Sequence, residues 1–144
     1  MLSRNNAGRE IRIKTILFVC VHNSGRSQMA EAFFNQLAKG KARATSAGTE
    51  PAAAVDPTVV AAMREVGINL SQNRPKALTL EMLDEADGVI TMGCGVEGTC
   101  PASMVETEDW DLEDPKGKPL ERVRQIRDEI RARVVRMLED ADGH

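Results

Sequence analysis

Tyrosine is missing from this sequence, tryptophan occurs once and phenylalanine three times. An aromatic substrate would therefore find no tyrosine ring to hold it. Cysteine is scarce too. There are three, an odd number, which argues against a permanent disulfide framework in a reducing compartment. No apolar run approaches the length of a membrane span and the polar start has no signal-peptide core, so a soluble cytoplasmic protein is expected. A formal charge of −3 gives no overall pull toward nucleic acid or anionic membrane. No repeat, low-complexity tract or linker interrupts the chain. One domain over residues 1–144 is expected, its first ten or so residues a polar, unpatterned and mobile tail.

What is present converges on Cys20-Val21-His22-Asn23-Ser24-Gly25-Arg26-Ser27. Ile16-Leu17-Phe18-Val19 before it reads as a strand buried on both faces. Met29, Ala30, Phe33 and Leu37 after it recur at helical spacing, with Gly40 as a stop signal. A strand, a short glycine-containing loop and a helix N-terminus make an anion site, because loop N–H groups can turn inward and the helix dipole adds positive charge. Cys20 at the strand end, close to the helix N-terminus and Arg26, is set to act as a thiolate. Ser27 can donate to that sulfur, and the planar fork of Arg26 suits a tetrahedral oxyanion. A lone cysteine of this kind is more often a buried structural residue. The conjunction of thiol, glycine, arginine and hydroxyl at one strand-to-helix junction favours a nucleophile in an oxyanion pocket.

Periodicity and breakers predict the remaining elements. Strands are expected at Lys14–Cys20, Ala42–Ala47, Gly88–Met92 and around Ser103–Glu106. Helices are expected at Arg26–Lys39, from Pro57 (capped by Asp56) to Gly67, at Thr79–Ala86 and at Leu120–Glu139. The arginines of the last helix, interleaved with acids, read as a solvated face. This alternation predicts an α/β fold, a four-stranded parallel sheet with helices on both faces in a Rossmann-like three-layer arrangement. In such folds the ligand lies beyond the carboxyl ends of the strands, where Cys20, Cys94 and the Asp114-Pro115 pair all fall.

Two further constellations carry chemistry. Gly93 to Pro101 is a glycine-rich loop holding Cys94 and Cys100, whose five intervening residues exclude a CxxC redox box. Two spare thiols near a nucleophilic one suggest sequential thiol–disulfide exchange. A zinc site from Cys20, His22, Cys94 and Cys100 is the competing reading, weakened by the lack of a close-spaced ligand pair and by the charge of Arg26, so no metal is expected. The acidic loop Trp110 to Pro115 offers a carboxyl group as a general acid.

The Cys-x5-Arg-Ser loop resembles that shared by the low-molecular-weight protein tyrosine phosphatases and the arsenate reductases built on the same fold. The longer match from Cys20 to Ala32, Ser46-Ala47-Gly48-Thr49, the Cys94/Cys100 loop and Asp114-Pro115 before a final helix look like the thioredoxin-coupled arsenate reductase branch. That resemblance implies arsenate held by the 21–27 loop and Arg26, attacked by Cys20, with Asp114 protonating the departing oxygen. It implies a relay in which a Cys20–Cys94 disulfide passes to Cys94–Cys100 and is reduced by thioredoxin, with no bound cofactor. Relatives that bind potassium use a loop Asn, a helix Glu, a Ser and an Asp. Asn23, Glu31 and Ser46 match, but Arg74-Pro75-Lys76 offers no Asp, which speaks against potassium. The cysteine pair has five intervening residues where a familiar bacterial pattern has six, and Gly25 stands where some relatives carry an extra cysteine. The alternative is phosphomonoester hydrolysis through a phosphocysteine. It leaves Cys94 and Cys100 without a use, and the tyrosines usual after the Asp-Pro are missing. Glutaredoxin or a small thiol are alternatives to thioredoxin. With no spare apolar helix face, a monomer is expected.

Overall fold

The structure, a computed structural model, describes residues 2–4, 10–12, 14–92 and 106–142. Its elements in chain order are β1 (Leu2–Arg4), β2 (Glu10–Arg12), β3 (Lys14–Cys20), α1 (Arg26–Ala38), β4 (Ala42–Gly48), α2 (Pro57–Arg64), α3 (Leu80–Glu85), β5 (Gly88–Thr91), β6 (Glu106–Asp109) and α4 (Leu120–Asp142). Four strands form one parallel sheet in the order β4-β3-β5-β6. The chain leaves β3 toward one edge and returns to add β5 on the other side. The order therefore reverses at the carboxyl end of β3, where an open α/β sheet has its crevice. Cys20 ends that strand.

Alternation along β3 sorts its side chains between two cores. Ile16, Phe18 and Cys20 face a large cluster built from α1, α2 and α4, in which Met29, Phe33, Val59, Met63, Val123 and Ile130 are buried. Leu17 and Val19 face a smaller one with Ala47, Ala86 and Val89, flanked by Met82 and Leu83 of α3. Phe18 is wedged between Phe34, at 6.0 Å edge-on, and Trp110, at 5.7 Å between ring centroids. Removing a ring so enclosed costs about 3–5 kcal/mol in comparable cores.

Local signals close the helices as expected. Asp56 caps α2 by accepting from the Thr58 N–H at 2.9 Å, with Pro57 in the first turn. Thr79 caps α3 through the Met82 N–H at 3.1 Å. Lys39 and Gly40 both take positive φ beyond α1.

Three expectations need correction. The last strand runs on to Asp109 rather than ending at Glu106, pairing with β5 from Gly88↔Glu106 to Thr91↔Asp109; residues 103–105 lie outside the described residues. The opening residues hold an antiparallel pair, Leu2↔Arg12 to Arg4↔Glu10, where an unpatterned tail is expected. The missed signal is the turn-forming composition of Asn5-Asn6-Ala7-Gly8 between two short segments carrying Leu2 and Ile11. The arginines of α4 are not all solvated, since Arg127 is only 8% exposed. Its Nη1 donates to the Ala62 carbonyl at 2.8 Å and to Glu65 at 2.9 Å, while Arg124 grips the same carboxylate through Nε and Nη2.

This clamp ties the end of α2 to α4. The hydrogen bond from Arg124, reinforced by Arg127, lowers the Glu65 pKa to about 2. A carboxylate with a folded pKa below its unfolded value adds stability above the unfolded pKa and loses it as the pH falls toward the folded one. Glu65→Gln is expected to unfold at lower urea than the parent at pH 7. The two midpoints should converge between the ordinary carboxylate value of 4.5 and about 2. Urea titrations across that range check it, and a constant gap refutes the clamp as the source.

Candidate active site

The loop between β3 and α1 is fastened from outside by its carbonyls. Those of Cys20, Val21, His22 and Ser24 accept from Thr49, Glu50, Ala52 and Asp56 at 2.8–3.2 Å, and Gly25 accepts from Met29 at 3.0 Å. Because a trans peptide points its C=O and the following N–H in opposite directions, each outward carbonyl turns the next N–H inward. Asn23, at φ 51°, shows the result, its N–H reaching the Cys20 sulfur at 3.2 Å. Inward N–H groups beside a helix N-terminus make the anion cradle.

Loop and strand approach so closely that position 48 must be glycine. A Cβ there would lie 2.6 Å from the Val21 oxygen and 3.0 Å from the Asn23 nitrogen. Gly48 thus brings the end of β4 against the loop that β3 feeds.

Behind the sulfur runs a hydrogen-bond chain whose polarity is set at Asn23. The Lys76 backbone N–H donates to Asn23 Oδ1 at 2.8 Å, which fixes the orientation of that amide. Asn23 Nδ2 must then donate, to Ser27 Oγ at 2.7 Å and Ser46 Oγ at 3.0 Å. Ser27 has its own proton left for the Cys20 sulfur at 2.8 Å, and Ser46 gives its proton to Glu31 Oε1 at 2.7 Å. Gln28 is oriented the same way: Nε2 donates to Asn23 Oδ1 and the Arg74 carbonyl, and Oε1 accepts from Asn73. A thiolate at Cys20 would thus receive two hydrogen bonds, one from the Asn23 N–H and one from the Ser27 hydroxyl.

Arg26 is 7% exposed. Nη1 donates to the Leu112 carbonyl at 3.1 Å, and Nη2 lies 3.7 Å from Asp114 Oδ2. Asp114, 49% exposed, also accepts from the Lys116 N–H at 3.0 Å. The structure therefore brings Cys20, the 21–27 loop, Arg26 and Asp114 to one crevice. His22 stands at its rim; its Nδ1 donates to the Glu50 carbonyl at 3.1 Å, which turns Nε2 away from that bond. Cys94 and Cys100 lie outside the described residues.

Residues 15–142 match the model of the low molecular weight phosphotyrosine protein phosphatase family. The chain belongs to that family. A glutaredoxin arsenate reductase from Synechocystis is 42% identical over 130 residues, which cover 88% of this chain and 97% of the relative. Among solved structures, the thioredoxin-dependent arsenate reductase of Corynebacterium glutamicum superposes with a TM-score of 0.76 at 36% identity, over 89% of this chain and 61% of that one. An arginine phosphatase from Geobacillus stearothermophilus superposes with a TM-score of 0.80 at 28% identity, over 90% and 94% of the two chains. Proteins named for quite different activities thus share the scaffold of this chain.

The potassium question turns on donor chemistry. Asn23, Ser46 and Glu31 do meet, but Asn23 presents its NH2 to Ser46, and its oxygen is taken by Lys76 and Gln28. The Lys76 ammonium sits 3.3 Å from Glu31 Oε1. A cation is already built in, and the set does not fit an added alkali ion, which needs oxygen donors. Among the described residues no group of three or more His, Cys, Asp or Glu could hold a metal.

Sequence reasoning missed Gln28 and the network role of Lys76. Gln28 is 1% exposed beside Met29, and a polar residue in the buried stripe of a helix was the available signal. Lys76 acts through its backbone as much as its side chain, which leaves no compositional trace. One substitution tests the cradle as a whole. Gly48→Ala is expected to leave a folded protein with phosphate binding weakened by about tenfold or more, since one lost charge-assisted bond alone is worth that much. Calorimetric titration with phosphate measures this, with a thermal melt as the check on folding.

Proposed function

We propose that this protein reduces arsenate to arsenite with a nucleophilic cysteine and an internal disulfide relay, drawing electrons from thioredoxin. The observation that carries the reading is the Cys20 sulfur, held in inward-facing N–H groups and hydrogen-bonded by Ser27, with Arg26 and Asp114 at the same crevice. The resemblance of the Cys94/Cys100 loop to the relay of the reductase branch supports it.

Arsenate enters the 21–27 cradle. Among the described residues only Nη1 of Arg26 is engaged by a protein hydrogen bond, so the guanidinium keeps donors for the oxyanion. The Cys20 thiolate attacks arsenic(V). Asp114 gives a proton to the departing oxygen, which leaves as water, and a Cys20–arsenic bond remains. The Cys94 thiolate then attacks the Cys20 sulfur. The electron pair of the breaking sulfur–arsenic bond passes to arsenic, which leaves as arsenite(III), and a Cys20–Cys94 disulfide forms. Cys100 attacks Cys94, returning Cys20 as a thiolate. A dithiol reductant supplies the two electrons that reopen Cys94–Cys100. No bound cofactor enters the cycle.

The same cradle would hold phosphate, a near-isostere, and the likeness to an arginine phosphatase favours a second reading as a phosphatase. No tyrosine follows Asp114-Pro115 to grip an aryl group, and phosphate ester hydrolysis needs neither Cys94 nor Cys100. Weak phosphatase activity is expected beside the reduction, not in its place. Relatives named for two different reductants make thioredoxin and glutaredoxin the two donors to compare.

The relay predicts two distinct failures. Cys94→Ser is expected to stall before arsenite leaves. Cys100→Ser should release about one arsenite per enzyme and stop as a Cys20–Cys94 disulfide. Rapid-quench arsenite counts and disulfide mapping by mass spectrometry separate the two. Sustained turnover of Cys100→Ser with thioredoxin would reduce the relay to two thiols. A folded Cys20→Ser protein that still forms arsenite would end the proposal altogether.

A further inference from the structure

At position 25 φ is −147°, outside the positive range in which glycine is favoured, and ψ is −89°. What a side chain lacks there is room. A Cβ on Gly25 would fall 2.8 Å from Cγ of Pro115, with Val59 Cγ2 at 3.5 Å on another side and Pro115 Cδ at 3.6 Å. The last two distances are ordinary contacts, and the first is a collision. The colliding atom belongs to a ring closed on its own backbone, so it cannot swing away as a long side chain would. Pro115 directly follows Asp114, whose carboxylate stands 3.7 Å from Arg26.

We propose that Gly25 is a positioning residue for Asp114: the bare backbone at position 25 is the seat on which Pro115 rests, and that seat fixes where the Asp114 carboxyl meets the anion cradle. The proposal rests on Asp114 acting as the acid of arsenate reduction and adds what holds it in place. Its chemistry is selective. The Ser24 carbonyl is turned outward to Asp56, so the Gly25 N–H belongs to the inward set and survives any substitution that keeps the backbone. Adding one methyl group should therefore spare oxyanion binding and damage proton delivery. A residue needed only for loop structure would damage both.

Gly25→Ala is the test, read against Asp114→Asn and Pro115→Ala in the thioredoxin-coupled arsenite assay, with phosphate affinity and thermal melting measured alongside. Gly25→Ala should lower kcat by about tenfold or more while phosphate affinity stays within about threefold, the signature of an interaction used in the transition state. Added to Asp114→Asn, the methyl group should cost no more than about twofold further, because residues acting through one group are not additive. Added to Pro115→Ala it should likewise cost little, the colliding ring being gone. Wild-type kcat in Gly25→Ala would mean the ring repuckers to absorb the methyl, and overturns the proposal. So does an equal loss from the methyl group whether or not Asp114 is present. If Gly25→Ala does not fold, Pro115→Ala empties the seat from the other side. It must then slow the parent but not Asp114→Asn. An unchanged rate in Asp114→Asn itself would instead remove the acid role and leave the contact purely structural.

Discussion

The backbone N–H of Lys76 sets the orientation of the amide behind Cys20. An N–H can only donate, so Asn23 must turn its oxygen toward it and its NH2 toward Ser27 and Ser46. Were that amide reversed, Ser27 would have to donate to Asn23 and would have no proton for the sulfur. The N–H is itself held by an extension of the sheet. Gly48 N donates to the Lys76 carbonyl at 2.8 Å, and Leu78 N donates back to the Gly48 carbonyl at 3.0 Å, beside a parallel bridge from Gly48 to Ala77. Gly48 therefore serves the site twice, once by admitting the loop and once by fixing the segment that orients Asn23.

A second support comes from the core. Trp110 is buried, its ring against Phe18 and beneath the Arg133 guanidinium, and its N–H bonded to the Thr91 carbonyl at 2.7 Å. This anchors the start of the acidic segment to the sheet, two residues before the Leu112 carbonyl that receives Arg26. The guanidinium is thus oriented by the hydrophobic core at one remove. Both the anion loop and the acidic segment are aimed by rigid elements rather than by their own stiffness.

Legibility in the sequence follows how local each signal is. The buried run of β3, the caps Asp56 and Thr79 and the apolar stripe of α4 are written within a few residues, and the structure has them where periodicity puts them. The Cys20–Ser27 loop is legible for the same reason. The Glu65 clamp and the Gly25–Pro115 contact join residues far apart in the chain, and no spacing announces them. The far end of β6 is not legible, because an edge strand with Glu106, Glu108 and Asp109 does not look like a strand by hydrophobicity. Charge on such an edge discourages pairing with another sheet, a purpose periodicity does not register.

The register between β3 and β5 has a kinetic meaning. Val19 pairs with Thr91, so Cys20 stands level with Met92 on a neighbouring strand, and such strands lie about 4.8 Å apart. Cys94 follows Met92 by two residues, a tether that spans at most about 7 Å when fully extended. In the relay proposed above, so short a tether would give the Cys94 thiol an effective concentration at Cys20 on the order of millimolar or higher. Free thiols in the surroundings must compete with that local concentration for the same sulfur. The strand pairing that builds the core thereby also biases which partner reaches Cys20 first.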